Sequence, residues 1–144
     1  MTTWPIPLRS LSRLNAVLLA LIASCGGEDT VTGPESVAGV YALQTVNNAT
    51  LPYLKEAAAD LTVQVVSGSL TLRADATYHG EIIEEWARPA STDSIVELSN
   101  GSFNVSGNSI TFAQGGNHAV YQGTITGNRI TATLSDVTFG FVKR

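Results

Sequence analysis

Few side chains in this chain combine the types and spacings that reaction chemistry needs. His79 and His118 are its only histidines and Cys25 its only cysteine. His79 stands two residues before Glu81, and on a strand this puts both on one face. Such a pair could hold a divalent metal, but the same alternation is that of a solvated polar face. Glu81 and Glu85 share that face, and Glu84 points the other way, next to Trp86. All three read as solvated surface, with a partner site as the alternative. There is no Gly-x-Ser-x-Gly turn, phosphate-cradling loop, His-x-x-x-His pair or cysteine pair. The expectation is therefore no enzyme, no cofactor and no metal. A single cysteine also rules out an internal disulfide.

The cysteine gains meaning from what precedes it. Arg9 and Arg13 form a basic stretch with no acidic residue before Glu28, and Ala16 to Ala23 is an unbroken apolar run. A spanning helix needs about 20 apolar residues, whereas the core of a secretory leader needs roughly 7 to 15. The run ends in Ile22-Ala23-Ser24-Cys25-Gly26-Gly27. This resembles the lipobox of bacterial lipoproteins, in which a diacylglycerol is attached to the cysteine thiol and cleavage follows just before it. The resemblance implies a leader over residues 1–24, a lipid-bearing Cys25 and membrane attachment through that lipid. Two or three acyl chains make a stable anchor where one does not. Gly26 follows the cysteine, not the aspartate that marks inner-membrane retention, so the expected address is the cell envelope, at the outer membrane facing the periplasm. Residues 25–36 then read as a tether, and residues 37–144 as one domain.

The charge balance narrows the partners. The chain carries −4. Loss of Arg9 and Arg13 with the leader leaves six basic against twelve acidic residues. With no basic cluster, nucleic acid is excluded as a partner, and so is electrostatic docking on anionic lipid.

From Val37 onward, short β-favouring runs alternate with turn chemistry. Strands are expected at Val40–Val46, from Leu61, from Leu70, from Thr77 to Trp86, and at Ile95–Leu98, Ser102–Val105, Ser109–Ala113, Ala119–Thr126, Arg129–Leu134 and Thr138–Val142. Polar loops are expected around 89–95 and at Gln114–Asn117. Val105-Ser106-Gly107-Asn108-Ser109-Ile110 recurs as Ile125-Thr126-Gly127-Asn128-Arg129-Ile130. Glycine first in a two-residue loop suits a type II′ hairpin turn. That placement pairs Val105 with Ile110, Phe103 with Phe112 and Ile125 with Ile130, so each hairpin sorts its apolar side chains onto one face. Ser67-Gly68-Ser69-Leu70 looks like a third copy, but its apolar residues fall one position off, so it is read as a turn of unassigned type. Pro52 to Ala59 has proline near its start and helix formers after it, which predicts a short helix after the first strand, with Thr50 as a cap. The fold class is all-β: a small antiparallel up-and-down barrel, with a two-layer sandwich as the alternative.

Gly39-Val40-Tyr41-Ala42-Leu43, Gly68 to Tyr78 and Gly101 to Phe112, in that order, resemble bacterial lipocalin-like lipoproteins over almost the whole domain. Lipocalins carry Gly-x-Trp on the first strand, with a basic residue of the last strand over the indole. Here Tyr41 takes the tryptophan's place, and Lys143 or Arg144 is the candidate base. Asp75-Ala76 stands where relatives show Asp-Gly, which implies a strained turn. The resemblance implies a barrel able to take a small apolar ligand at one end, beneath Pro52–Ala59. The candidate lining residues are Tyr41, Leu54, Val63, Leu72, Tyr78, Phe103, Phe112, Tyr121 and Phe139. Val40 and Ala42 are also expected to face inward. An eight-stranded barrel is just wide enough to be filled by its side chains or to hold one small molecule. A filled core would instead point to a protein-interaction module, such as an envelope assembly factor or a periplasmic hydrolase inhibitor, whose protein partner the sequence does not identify.

Overall fold

The computed structural model describes residues 33–116 and 120–144. The leader, Cys25, most of the expected tether and His118 lie outside them. Helix α1 (Pro34–Val37) precedes ten strands: β1 (Gly39–Val46), β2 (Ala49–Thr50), β3 (Tyr53–Ala58), β4 (Leu61–Leu72), β5 (Thr77–Arg88), β6 (Ser91–Ser106), β7 (Ser109–Gln114), β8 (Val120–Thr126), β9 (Arg129–Leu134) and β10 (Val137–Lys143). Consecutive strands from β4 to β10 pair antiparallel, β10 pairs with β1, and β1 returns to β4. The eight strands β1 and β4–β10 thus close an up-and-down barrel of the lipocalin-like kind.

Both repeated turns form the expected hairpins. Ser106 faces Ser109, Val105 faces Ile110 and Phe103 faces Phe112, while Thr126 faces Arg129 and Ile125 faces Ile130. Gly107 and Gly127 have φ of 56° and 58°, and the asparagine after each stays at negative φ. That is the type II′ combination. The registers deliver Phe103, Ile110, Phe112, Ile125 and Ile130 to the core, where they join Tyr41, Leu43, Leu70, Leu72 and Tyr78. α1 stoppers the same end of the barrel as these turns. Val37 is 2% exposed, and its carbonyl accepts the Tyr41 hydroxyl at 2.6 Å. Residues 34–36, expected in the tether, therefore belong to the folded domain.

Two departures from the sequence expectation share one cause, the β-bulge. β4 is one strand of twelve residues, not two strands with a turn at Ser67–Leu70, and its register shifts between Val65 and Ser67. The extra residue, Val66, moves the inward positions from Val63 and Val65 to Leu70 and Leu72. β1 shifts likewise between Leu43 and Thr45. Its buried residues are Tyr41, Leu43 and Val46, whereas Val40 is 42% exposed and Ala42 only partly covered. Apolar residues on both faces of Gly39–Leu43 had hidden that phase.

The helix expected over Pro52–Ala59 is instead β3, paired with Leu61–Val65 of β4. An eight-residue helix with no apolar stripe is marginal by itself, whereas the strand satisfies backbone groups on a half of β4 that β1 leaves open. The expected loop over 89–95 is also strand. Arg88 faces Ser91 across a two-residue turn, and β6 runs on for sixteen residues.

Nothing lies within 4 Å of a Cβ built on Gly107 or Gly127, so substitution there tests backbone conformation alone. Gly107→Val and Gly127→Val should each lower stability by about 1–3 kcal/mol in thermal melts. Ala76 sits at φ 64° in the β4–β5 turn, so Ala76→Gly should raise stability by ~0.5–1 kcal/mol. Equal stability of all three variants and the parent would contradict both turn assignments.

Candidate functional site

The end of the barrel opposite α1 is open. β1 and β4 pair only from Gly39–Ala42 to Leu72–Ser69 and then part at their two bulges. Beyond that point β1 pairs with β2 and β10, and β4 pairs with β3. The β1–β2 turn bridges the opened seam: Asn47 Nδ2 donates to the Tyr53 hydroxyl at 3.0 Å, and Asn47 Oδ1 accepts the Thr138 amide at 2.8 Å.

Two adjoining cavities occupy this mouth. One, of about 200 Å³, is walled by Leu70, Ile82, Phe112, Tyr121, Ala132 and Phe139 among others. The second, of about 240 Å³, lies at the seam against Val46, Tyr53, Lys55, Val65 and Glu84. Ile82, Glu97 and Phe139 line both. The room has a sequence cause. Gly80 faces the lumen opposite Leu70, and Ala132 opposite Phe139, so two lumen positions carry almost no side chain.

Below the cavity lies an aromatic floor. Phe112 stacks on Tyr121 with centroids 5.0 Å apart, and Tyr78 meets Phe112 edge-on at 5.1 Å. The Tyr121 hydroxyl donates to that of Tyr78 at 2.9 Å. Burial, reinforced by this hydrogen bond, pushes the Tyr121 hydroxyl well above its ordinary value, so it stays a neutral donor.

One charged group is held inside. Glu84 is 2% exposed, on the inward face of β5 between Ile82 and Trp86. Its Oε1 meets the Lys55 ammonium, and its Oε2 accepts Trp86 Nε1 at 3.2 Å. Lys55 is the extra residue of the β3 bulge between Leu54 and Glu56, which turns its side chain into the barrel. Both carboxylate oxygens are thereby satisfied, as a buried charge requires. Solvated surface, the expectation for Glu84, is corrected: it shares the inward face of β5 with Tyr78 and Ile82, and its partner lies in the segment read as a helix.

Of the expected lining residues, Phe112, Tyr121 and Phe139 meet on the cavity wall. Tyr41, Val63, Leu72, Tyr78 and Phe103 are buried in the core behind it. Leu54 is 51% exposed and lies on the outer face of β3, so it does not line the barrel. The last-strand base over Tyr41 is Lys143, whose Nζ is 5.7 Å from the ring centroid. His79 and Glu81 lie on the outward face of β5, and no group of three metal-ligating side chains forms among the described residues. Lys55, Gly80, Glu97 and Ala132 escaped the sequence reading.

Removing Lys55 strands a buried carboxylate. Lys55→Met should lower stability by about 1–3 kcal/mol, at the lower end because the lysine is half exposed. Adding Glu84→Gln should restore part of that loss. A double-mutant cycle in urea showing no coupling would contradict the pairing.

No protein-family model, curated protein or solved structure matches this chain, which leaves the geometry of the mouth as the basis for its function.

Proposed function

We propose that this chain is an exported, lipid-anchored binding protein whose barrel takes one small apolar molecule at its open end. The observation that carries the reading is the pair of adjoining cavities at the mouth, walled largely by Leu70, Ile82, Phe112, Tyr121 and Phe139. Concave apolar space with a few polar groups is what small-molecule sites are made of. Burying roughly 150–250 Å² of apolar ligand surface contributes about 4–6 kcal/mol before ordering costs, which sets the scale at high micromolar affinity.

The anchor fits this use. The chain enters the barrel at the stoppered end, through α1. A lipid on Cys25, nine residues before the start of that helix at Pro34, can lie at most ~30 Å from it. The tether of the anchored domain thus leaves from the end opposite the mouth.

A second reading, a protein-interaction module, draws on β6. Among the described residues its Ser91–Ser99 half pairs with β5 alone, since pairing with β7 stops at Gly101. Ile95, Val96 and Leu98 are exposed along that unpaired edge. The two readings part on the lumen.

Ala132→Leu, which fills the cavity opposite Phe139, should abolish binding of an apolar fluorescent probe while leaving the β circular dichroism intact. Undiminished probe binding by this variant would contradict the lumen as the site and favour the edge. Cys25→Ala should release the protein from the membrane fraction. A free Cys25 thiol and no acyl mass in membrane-isolated protein would contradict the anchor.

A further inference from the structure

Charge in the mouth is unbalanced, and the imbalance says what kind of apolar molecule fits. Four charged residues border the cavities: Lys55 from β3, Glu81 and Glu84 from β5 and Glu97 from β6, with the Glu81 side chain on the outward face of its strand. Lys55 and Glu84 neutralise one another. Farther out, Arg88 pairs with Asp93 at 3.1 Å. Glu97 stands opposite Ile82 in register and lines both cavities. Among the described residues it takes part in neither a hydrogen bond nor an ion pair. One exposed negative charge is thus left at the rim of a largely apolar space.

The wall facing it is aromatic. Phe112, Tyr121, Phe139 and Phe141 line the first cavity. The faces of such rings carry the negative end of their quadrupole and attract cations. A ligand with a carboxylate head would bring a second anion to Glu97, and a neutral one would leave Glu97 without a partner. An ammonium group would complement both the carboxylate and the rings.

Resting on the apolar-cavity reading above, we propose that the ligand is an amphiphilic amine, its apolar body in the cavity of Leu70, Ile82 and Phe112 and its protonated nitrogen against Glu97.

The test is calorimetric titration of the full chain, at low salt, with an alkylammonium, an alkanol and an alkanoate of one chain length. The ammonium should bind about fivefold tighter than the alkanol, and the alkanoate more weakly than either. Glu97→Gln should bring the ammonium-to-alkanol ratio close to one, and Glu97→Lys should turn the preference towards the alkanoate. Glu85→Gln, on the outer face of β5, changes net charge equally and should leave the ratio as it was. An alkanoate that binds as well as the ammonium, or an ammonium preference that survives Glu97→Gln, overturns the inference. Alkanol binding without any head-group preference overturns it while the apolar-cavity reading stands. Binding of none of the three overturns both.

Discussion

The seam between β1 and β4 governs this structure. An eight-stranded sheet closes only if its first and last strands find partners, and here β1 serves both β10 and β4. Its hydrogen-bonding edges are nevertheless shared unevenly along its length. Near α1 it joins β4 directly, and after four residue pairs the bulges at Gln44 and Val66 bend the two strands apart. From that divergence follow the filler strands β2 and β3, the open mouth and the asymmetry between a stoppered end and an accessible one.

A split seam exposes backbone groups that must be satisfied, and the chain between β1 and β4 does this with a minimum of residues. Asn47 and Asn48 turn at positive φ, which asparagine tolerates, and Asn47 then links β10 to β3 through its side chain. The bulge in β3 turns Lys55 inward, where it meets the one carboxylate buried among the core strands. A buried ion pair is weak evidence for stability, because desolvation offsets much of its attraction. Its role here is better read as orientation: Glu84 on β5 fixes where β3 lies across the opening. Cavity and pair are thus parts of one arrangement, with the aromatic floor of Tyr78, Phe112 and Tyr121 beneath.

What was legible in the sequence was local. Gly107-Asn108 and Gly127-Asn128 specified their turns, the turns specified their registers, and alternation then placed Phe103, Phe112, Ile110 and Ile130 in the core. The inward face of Tyr78 followed from the same alternation, whereas the strain expected at Ala76 came from the resemblance to proteins with Asp-Gly there. Bulges defeated those rules, since one extra residue at Gln44 or Val66 inverts every later position on the strand. That is why Val40 and Ala42 were placed inside and why Ser67–Leu70 resembled a turn. Lys55–Ala59 read as a helix because its residue types favour one, and only the unpaired half of β4, a tertiary demand, overrides that preference. Of the site itself, the aromatic wall was visible. The space was not, because it comes from two small residues, Gly80 and Ala132, that become neighbours of one cavity only when the barrel closes.

The account stands or falls on whether that space is open in the folded protein. Crystals of the domain pressurised with xenon test it most directly, since xenon enters dry apolar cavities of this size without needing any head-group chemistry. The account predicts ordered xenon among Phe112, Tyr121, Ala132 and Phe139, with β1 and β4 parted as described. A lumen without xenon, in which Ile82, Leu134 and Phe139 have packed down onto Gly80 and Ala132, would contradict it.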